Sequence, residues 1–296
     1  MNVLISLIGE QPAPNIFPLA HYKPEKVALV YTDFTEKWAR LLKEYLGNQV
    51  EQPLLKLSHA YQVKIIQREI SDYITNKNCS GDSLIFNLTG GTKTMMLGAY
   101  EVARRLKAQA FYYQTQGNIS QIYPYDLSQK TPTWGKAVPV TSTLTLDQYL
   151  RLYVGKYKPN TLPRDPFESL VHTTLKNISS DYFEVMDSQY LTGIGKDVEV
   201  DLLVRLGNTI GVAEIKQKAG KKAIDQLNGV ATRVALGTYT KKILISATPL
   251  HYNHQVLAKA HRIYPIILES GKNEQLSPGD KDLLISEVRK ILSPKS

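Results

Sequence analysis

Glu168, Asp201, Glu214 and Lys216 stand in a pattern suited to phosphate chemistry. The stretch VEVDLLVRLGNTIGVAEIKQK, residues 198–218, reads as two strands meeting at the turn residues Gly207–Asn208. Side chains repeat every two residues along a strand, so Glu199, Asp201 and Leu203 share one face of the first strand, and Glu214 and Lys216 share a face of the second. Pairing around the turn brings Asp201 near Glu214 and Lys216. Two carboxylates in such a place are costly to bury unless a cation compensates them. Mg²⁺ and Mn²⁺ prefer oxygen ligands, typically carboxylates completed by water and phosphate oxygens. Such a metal lowers the pKa of a bound water and neutralises charge building on a phosphate. Lys216 would orient or deprotonate that water, or stabilise the transition state. Glu168, on the preceding helix, could reach the same metal or its water shell. An isolated E-x-K is ordinarily a solvated strand face; the upstream Asp, the apolar strands and the helix acid favour catalysis.

The stretch NLTGGTKTMMLGAY, Asn87 to Tyr100, has the ingredients of a phosphate-binding turn. Walker A spacing fails because Gly90 and Gly91 are adjacent and Lys93 follows Thr92 directly, and G-x-G-x-x-G fails as well. A buried strand nevertheless ends at Thr89, two glycines permit close backbone approach, and a helix begins at Thr92 or Lys93. The free N–H groups and positive dipole end of that helix favour an anion. Thr89, Thr92 and Lys93 add donors. The plainer reading is a strand–helix turn in which Thr92 caps the helix, and the stretch alone weighs the two equally. His172 lies four residues after Glu168, as a surface histidine or a contact near the site. His251 and His254 have no third ligand nearby that would suggest zinc.

The elements that must position these residues fall into two groups. NVLISLIG, KVALVYT and SLIFNLT read as buried strands, alternating with helices over FTEKWARLLKEYLG, AYQVKIIQREISDYI and TKTMMLGAYEVARRL. AQAFYYQT and SQIYPYD follow as strands around a Gly117–Asn118 turn. Continuous apolar strands alternating with helices imply a mainly parallel sheet covered on both faces, a Rossmann-like domain. Ligands of such sheets collect at the carboxyl ends of strands. There the sequence places Gly9-Glu10-Gln11, Thr32-Asp33 and Thr89 to Lys93. Residues 136–163, rich in Pro, Lys, Ser and Thr around the helix-like LDQYLRLYV, read as a connection. The expected division is 1–135 for the first domain and 164–296 for the second. In the second, helix PFESLVHTTLKNI leads into strands YFEVMDSQYL, VEVDLLVRL and TIGVAEIKQ. Helix KKAIDQLNGVATRVAL, strand KKILISA, helix HYNHQVLAKAHRI and strand YPIILE follow.

Bulk properties fit this picture. The 296 residues carry a formal net charge of +9, with an excess of +3 up to Trp134 and +6 beyond it. That excess suits a polyanionic partner or a lysine-rich solvated surface equally. The single cysteine excludes an intramolecular disulfide and a multi-thiolate zinc site, and a reducing cytoplasm is expected. The N-terminus lacks a basic residue ahead of its apolar run, so it reads as a buried strand rather than a signal peptide. No apolar run approaches the roughly 20 residues of a membrane span, so no membrane role is expected.

The order Glu168, Asp201, Glu214-Ile215-Lys216, Gln226 resembles the PD-(D/E)xK restriction-endonuclease-like superfamily, with Gln226 matching its helix glutamine. The proline that names the motif is absent, since Val200 precedes Asp201. The first part, with LISLIGEQPAPN, KVALVYT and NLTGGTKTMMLGAY, resembles a CARF domain. CARF followed by PD-(D/E)xK is similar to the ancillary nucleases of type III CRISPR systems. That resemblance implies a homodimer binding cyclic oligoadenylate, usually cyclic tetra-adenylate, across paired CARF domains. It implies a nuclease that the ligand switches on with Mn²⁺ or Mg²⁺, cutting DNA and/or RNA. By the same resemblance Thr89, Gly90, Gly91, Thr92 and Lys93 contact the ligand, with Glu10, Gln11 and Thr32 in the pocket. Two other readings stand beside it: a ligand-sensing regulator with a silent nuclease domain, and an ungated nuclease. The intact Asp201, Glu214 and Lys216 argue against the first, and the T-G-G-T-K turn against the second. No zinc-finger, helix-turn-helix or RNP signature narrows the nucleic acid.

Overall fold

The computed structural model describes residues 2–79, 83–116, 119–140, 143–161, 165–193, 198–231, 235–237 and 239–293. The chain divides into two compact units, residues 1–142 and 143–296.

The first unit opens with β1 (Val3–Leu7), the short helices α1 (Ala13–Ile16) and α2 (Leu19–Tyr22), and β2 (Lys26–Tyr31). Then come α3 (Glu36–Leu46), β3 (Leu55–Lys56), α4 (Val63–Asn76), β4 (Leu84–Asn87) and α5 (Lys93–Arg105). The pair β5 (Gln109–Gln116) and β6 (Ile119–Asp126) is followed by β7 (Thr133–Trp134) and β8 (Val138–Pro139). The strand order is β3-β2-β1-β4-β5-β6-β7, with β8 also paired to β6. From β3 to β5 all pairings are parallel; β6 to β8 pair antiparallel. The reason lies in the sequence: β1, β2 and β4 are almost wholly buried apolar runs, as a sheet covered on both faces requires. Leu7, Val30 and Phe86 join Ile66 and Ile70 of α4 and Val102 of α5 in one core. Gly98 lets α5 approach α4, since a Cβ there would meet Ile66 Cγ2 at 2.7 Å. The Gly117–Asn118 turn expected between β5 and β6 lies outside the described residues.

The second unit begins earlier than the sequence suggests. Helix α6 (Leu146–Tyr153) and strand β9 (Tyr157–Pro159) fall in the stretch expected as a connection, yet they pack into this unit. The backbone N–H of Leu146 donates to Glu184 at 2.9 Å, and the Tyr149 hydroxyl donates to the carbonyl of Leu236. The buried face of α6, Leu146, Tyr149, Leu150, Leu152 and Tyr153, explains why a polar-flanked helix is not a free linker. The chain continues with α7 (Pro166–Lys176), β10 (Phe183–Met186), β11 (Gln189–Leu191), β12 (Val198–Val200) and β13 (Leu202–Leu206). It ends with β14 (Thr209–Lys216), α8 (Lys221–Val230), β15 (Lys241–Ser246), α9 (Tyr252–Ala260), β16 (Ile263–Ile267) and α10 (Pro278–Leu292).

A five-stranded sheet has the order β10-β13-β14-β15-β16, and a three-stranded one the order β12-β11-β9. Two runs expected as single strands each divide between these sheets. YFEVMDSQYL breaks between β10 and β11, and VEVDLLVRL breaks at Asp201 between β12 and β13. Helix α10 was not anticipated, although Ser277 caps it and Leu284, Val288 and Leu292 recur at helical spacing into the core. No helix among the described residues is long and apolar enough to cross a membrane.

Candidate active site and ligand crevice

The hairpin of the second unit has the register that its turn dictates. Leu206 faces Thr209 and Leu202 faces Ala213, with Gly207 at φ +57 in the left-handed region. Continuing that register sets Asp201 opposite Glu214, at the point where the chain leaves one sheet for the other. The backbone N–H of Ile215 donates to Asp201 Oδ2 at 2.8 Å, which holds the carboxylate against β14. Lys216 Nζ lies 2.8 Å from Asp201 Oδ2, 3.1 Å from Glu214 Oε1 and 3.4 Å from Glu168 Oε1. Glu168 reaches the group from the first turn of α7, whose start Asp165 caps through a 2.8 Å bond from Phe167 N–H. The structure therefore brings Glu168, Asp201, Glu214 and Lys216 together around one ammonium.

These residues, with Glu199 and Gln226, line a cleft of about 380 Å³. Gln226 faces it but donates to the backbone carbonyl of Glu199, at 3.4 Å. Glu214 is almost wholly buried, its side chain 3% exposed. Burial, and then the charge of Asp201, push its carboxyl up to about 7 against the pull of Lys216. Glu168 is raised for the same reasons. Burial by itself would lower the Lys216 ammonium, but Asp201 and Glu214 overcome it and hold the group above its ordinary value. Lys216 is a fixed cation at neutral pH.

The donor set fits a hard divalent cation. Glu214 Oε1 is buried, and its one close partner is the Lys216 ammonium at 3.1 Å, in a geometry too poor for a good hydrogen bond. An oxygen so placed has lone-pair capacity left that a metal would use. Among the described residues no three His, Cys, Asp or Glu side chains already converge as metal ligands. The Lys216 ammonium stands among the carboxylates instead. His172, one turn along α7 from Glu168, is buried rather than on the surface, and its Nε2 pairs with the Asp187 carboxylate. His251 and His254 flank the start of α9 with ring centroids 6.4 Å apart.

In the first unit, β1 has β2 on one side and β4 on the other, so the carboxyl end between β1 and β4 is a topological switch point. The loops after these two strands touch there. A Cβ on Gly90 would lie 1.9 Å from the carbonyl oxygen of Leu7, and one on Gly9 would lie 3.3 Å from Gly91 N. Gly91 itself holds φ +72. The double glycine is thus required by close approach at one position and by conformation at the next.

Thr92 caps α5 by accepting Met95 N–H at 3.1 Å and donates its hydroxyl to the carbonyl of Ala60 at 2.7 Å. Thr89 Oγ1 accepts the N–H of Tyr113 at 2.7 Å. Both hydroxyls thus position the turn within the fold. Lys93 is exposed and, among the described residues, makes no hydrogen bond or ion pair. Glu10 and Gln11 follow β1 beside the turn, while Thr32 stands at the end of β2 with its N–H donated to Thr35 Oγ1 at 3.0 Å.

Beneath the crevice lies a buried polar network that was not anticipated. Ser6 donates to Asn15 Oδ1 at 2.7 Å, and Asn87 Nδ2 donates to the Pro14 carbonyl at 2.8 Å and to Ser6 Oγ at 3.1 Å. Asn87 Oδ1 in turn accepts Thr89 N–H at 3.1 Å, which ties the network to the turn. The signal was present: Ser6 and Asn87 interrupt otherwise apolar strands, and a buried polar group needs partners. A larger hollow of about 1240 Å³ is lined by Lys26 and Tyr31 at the two ends of β2, by Arg40, Lys43 and Glu44 of α3 and by the loop as far as Leu54, and none of the expected ligand residues lines it.

Residues 3–149 match the family model described as the Card1 CARF domain. The whole chain is similar to Can2 from Sulfobacillus thermosulfidooxidans, solved in complex with cyclic tetra-adenylate. The two share 18% identity with a TM-score of 0.74 over 99% of this chain and 100% of that one. It is also similar to protein VC1899 from Vibrio cholerae, at 14% identity and TM-score 0.74 over 99% of each chain. A type III CRISPR defence DNA nuclease activated by cyclic oligoadenylate matches at 16% identity and TM-score 0.55, over 83% of this chain and 45% of that one. No curated protein matches the chain. At these identities the structural likenesses establish fold: a Rossmann-like unit followed by a restriction-endonuclease-like α/β unit. The match over residues 3–149 identifies the first unit as a CARF domain, the sensor domain of CRISPR-associated proteins.

Proposed function

We propose that the chain is a divalent-metal-dependent nuclease of type III CRISPR defence, switched on by cyclic tetra-adenylate bound to a homodimer of its CARF units. The observation that carries the nuclease half is the group of Glu168, Asp201 and Glu214 around Lys216, at 2.8–3.4 Å, in one cleft. Asp201 and Glu214, with Glu168, would hold Mn²⁺ or Mg²⁺. The metal would supply an activated water and neutralise charge on the phosphate. Because Lys216 is held protonated, its part is to donate to the phosphate oxygens as negative charge builds there, rather than to remove a proton. Gln226, on the cleft wall, is a positioning residue for substrate or water.

The sensing half draws on the T-G-G-T-K turn at the switch point and on the CARF family match. A cyclic tetranucleotide has a pseudo-symmetry that suits an isologous dimer site, where each subunit offers the same turn. Lys93 and the free N–H groups at the start of α5 are the donors for its phosphates, with Glu10, Gln11 and Thr32 as pocket walls. Gating follows if the ligand binds the cutting arrangement more tightly than the resting one.

The alternative is a ligand-sensing regulator whose second unit binds nucleic acid without cutting. It is favoured by one observation, the ammonium standing where carboxylates must open to admit a metal. Glu214→Ala separates the two readings. It should remove cleavage while leaving cyclic tetra-adenylate affinity intact; retained cleavage would overturn the active-site assignment.

A further inference from the structure

Two cations in the cleft are not used by the carboxylates. Lys218 and Lys222 line the same cleft as Lys216, are exposed and, among the described residues, make no hydrogen bond or ion pair. They flank Gly220, which precedes the ten-residue helix α8. Gly220 has φ −143, which any residue adopts, and a Cβ there would meet only His254 Cε1, at 3.7 Å. Neither backbone nor packing calls for glycine, so its absent side chain leaves the wall open beside two free ammonium groups. Of the other lining groups, Glu199 accepts from Asn160 Nδ2 at 2.6 Å, and Gln226, further along α8, donates to the Glu199 carbonyl. Free positive charge therefore sits around the start of α8 in a cleft whose centre is acidic.

We propose that Lys218 and Lys222 hold the backbone phosphates next to the one that is cut, so that the nucleic acid leaves the carboxylates towards the start of α8. This rests on the nuclease reading above and adds the path of the strand and the residues that grip it. A polyanion approaching Glu168, Glu199, Asp201 and Glu214 is repelled unless cations offset them, and Lys216 is already committed to three of these groups. The two free lysines supply that offset on one side only. They act as positioning residues: they bind neighbouring phosphates and touch no reacting atom.

The test is direct binding by the full chain, with cyclic tetra-adenylate present and Ca²⁺ replacing Mn²⁺ so that cleavage is slowed. Labelled single-stranded DNA, single-stranded RNA and duplex DNA are titrated by fluorescence anisotropy across a salt series. Each phosphate contact contributes about 0.7–0.9 to the slope of log affinity against log salt, so Lys218→Ala with Lys222→Ala should lower the slope by roughly 1.4–1.8 for the preferred nucleic acid. Affinity should fall about tenfold or more at moderate salt, and Lys218→Arg with Lys222→Arg should restore both. Among the described residues neither lysine has an intramolecular partner, so the double variant should fold, which unchanged cyclic tetra-adenylate affinity verifies. An unchanged slope and affinity in the alanine variant would overturn the proposal while leaving the nuclease reading intact. Failure of the unaltered chain to bind any of the three nucleic acids would overturn both.

Discussion

Replacing Glu214 by glutamine should make the metal-free protein more stable, although it removes activity. The carboxyl is pushed from 4.5 to about 7 by burial and by Asp201. A folded-state pKa raised above the unfolded one means that the stability linked to that proton is complete below pH 4.5. It is lost as the pH rises through about 7. At 1.36 kcal/mol per unit, the ionised carboxylate costs the folded chain roughly 3 kcal/mol at pH 8. The side chain is 3% exposed, so solvent screening does not reduce this much. Glutamine keeps the shape and cannot ionise, so Glu214→Gln should match the unaltered chain near pH 4.5 and exceed it by roughly 3 kcal/mol at pH 8. For a unit of this size that is about 6–12 °C in Tm. Calorimetry of both chains in chelator at a series of pH values provides the assay, and their difference cancels every other titration to first order. Mn²⁺ should reverse the order at pH 8, because it stabilises only the chain that retains the carboxylate. A difference that is flat with pH, or an unaltered chain that is the more stable at pH 8, would refute this electrostatic account of the site.

Lys216→Met should act in the opposite direction, leaving Glu168, Asp201 and Glu214 without their cation. The metal-free chain should lose about 3–5 kcal/mol at pH 8 by chemical denaturation, and Mn²⁺ should restore stability but not cleavage. Gly90→Ala would force a Cβ to 1.9 Å from Leu7 O, so the β1–β4 contact must open. The first unit should lose about 3 kcal/mol in urea unfolding and bind cyclic tetra-adenylate poorly; an unaltered midpoint would contradict the close approach. Lys93→Ala leaves the fold alone and should weaken the ligand about tenfold or more by calorimetric titration. Unchanged affinity would remove the turn from the pocket.

The two candidate sites were legible, as geometry, for different reasons. At Gly90 and Gly91 the residue type records the backbone's needs, so the turn could be read without knowing its neighbours. At Asp201, Glu214 and Lys216 the Gly207–Asn208 turn fixes the register, and the register fixes the cluster. What the sequence hid depends on contacts remote along the chain. The break at Asp201 arises because β12 pairs with β11 while β13 pairs with β10 and β14, and local alternation does not reveal that choice. Helix α6 looked like a linker because its flanks are polar, whereas Leu146, Leu150 and Leu152 bury against the second unit. His172 is buried by its pairing with Asp187, fifteen positions on, which spacing along α7 alone does not show.

The central claim is that a ligand on the first unit governs cutting by the second. It is tested most directly by incubating the chain and Mn²⁺ with plasmid, single-stranded DNA and single-stranded RNA, with and without cyclic tetra-adenylate. Cleavage of at least one substrate is expected only when the ligand is present. Equal cleavage with and without the ligand, or none in either case, would contradict it.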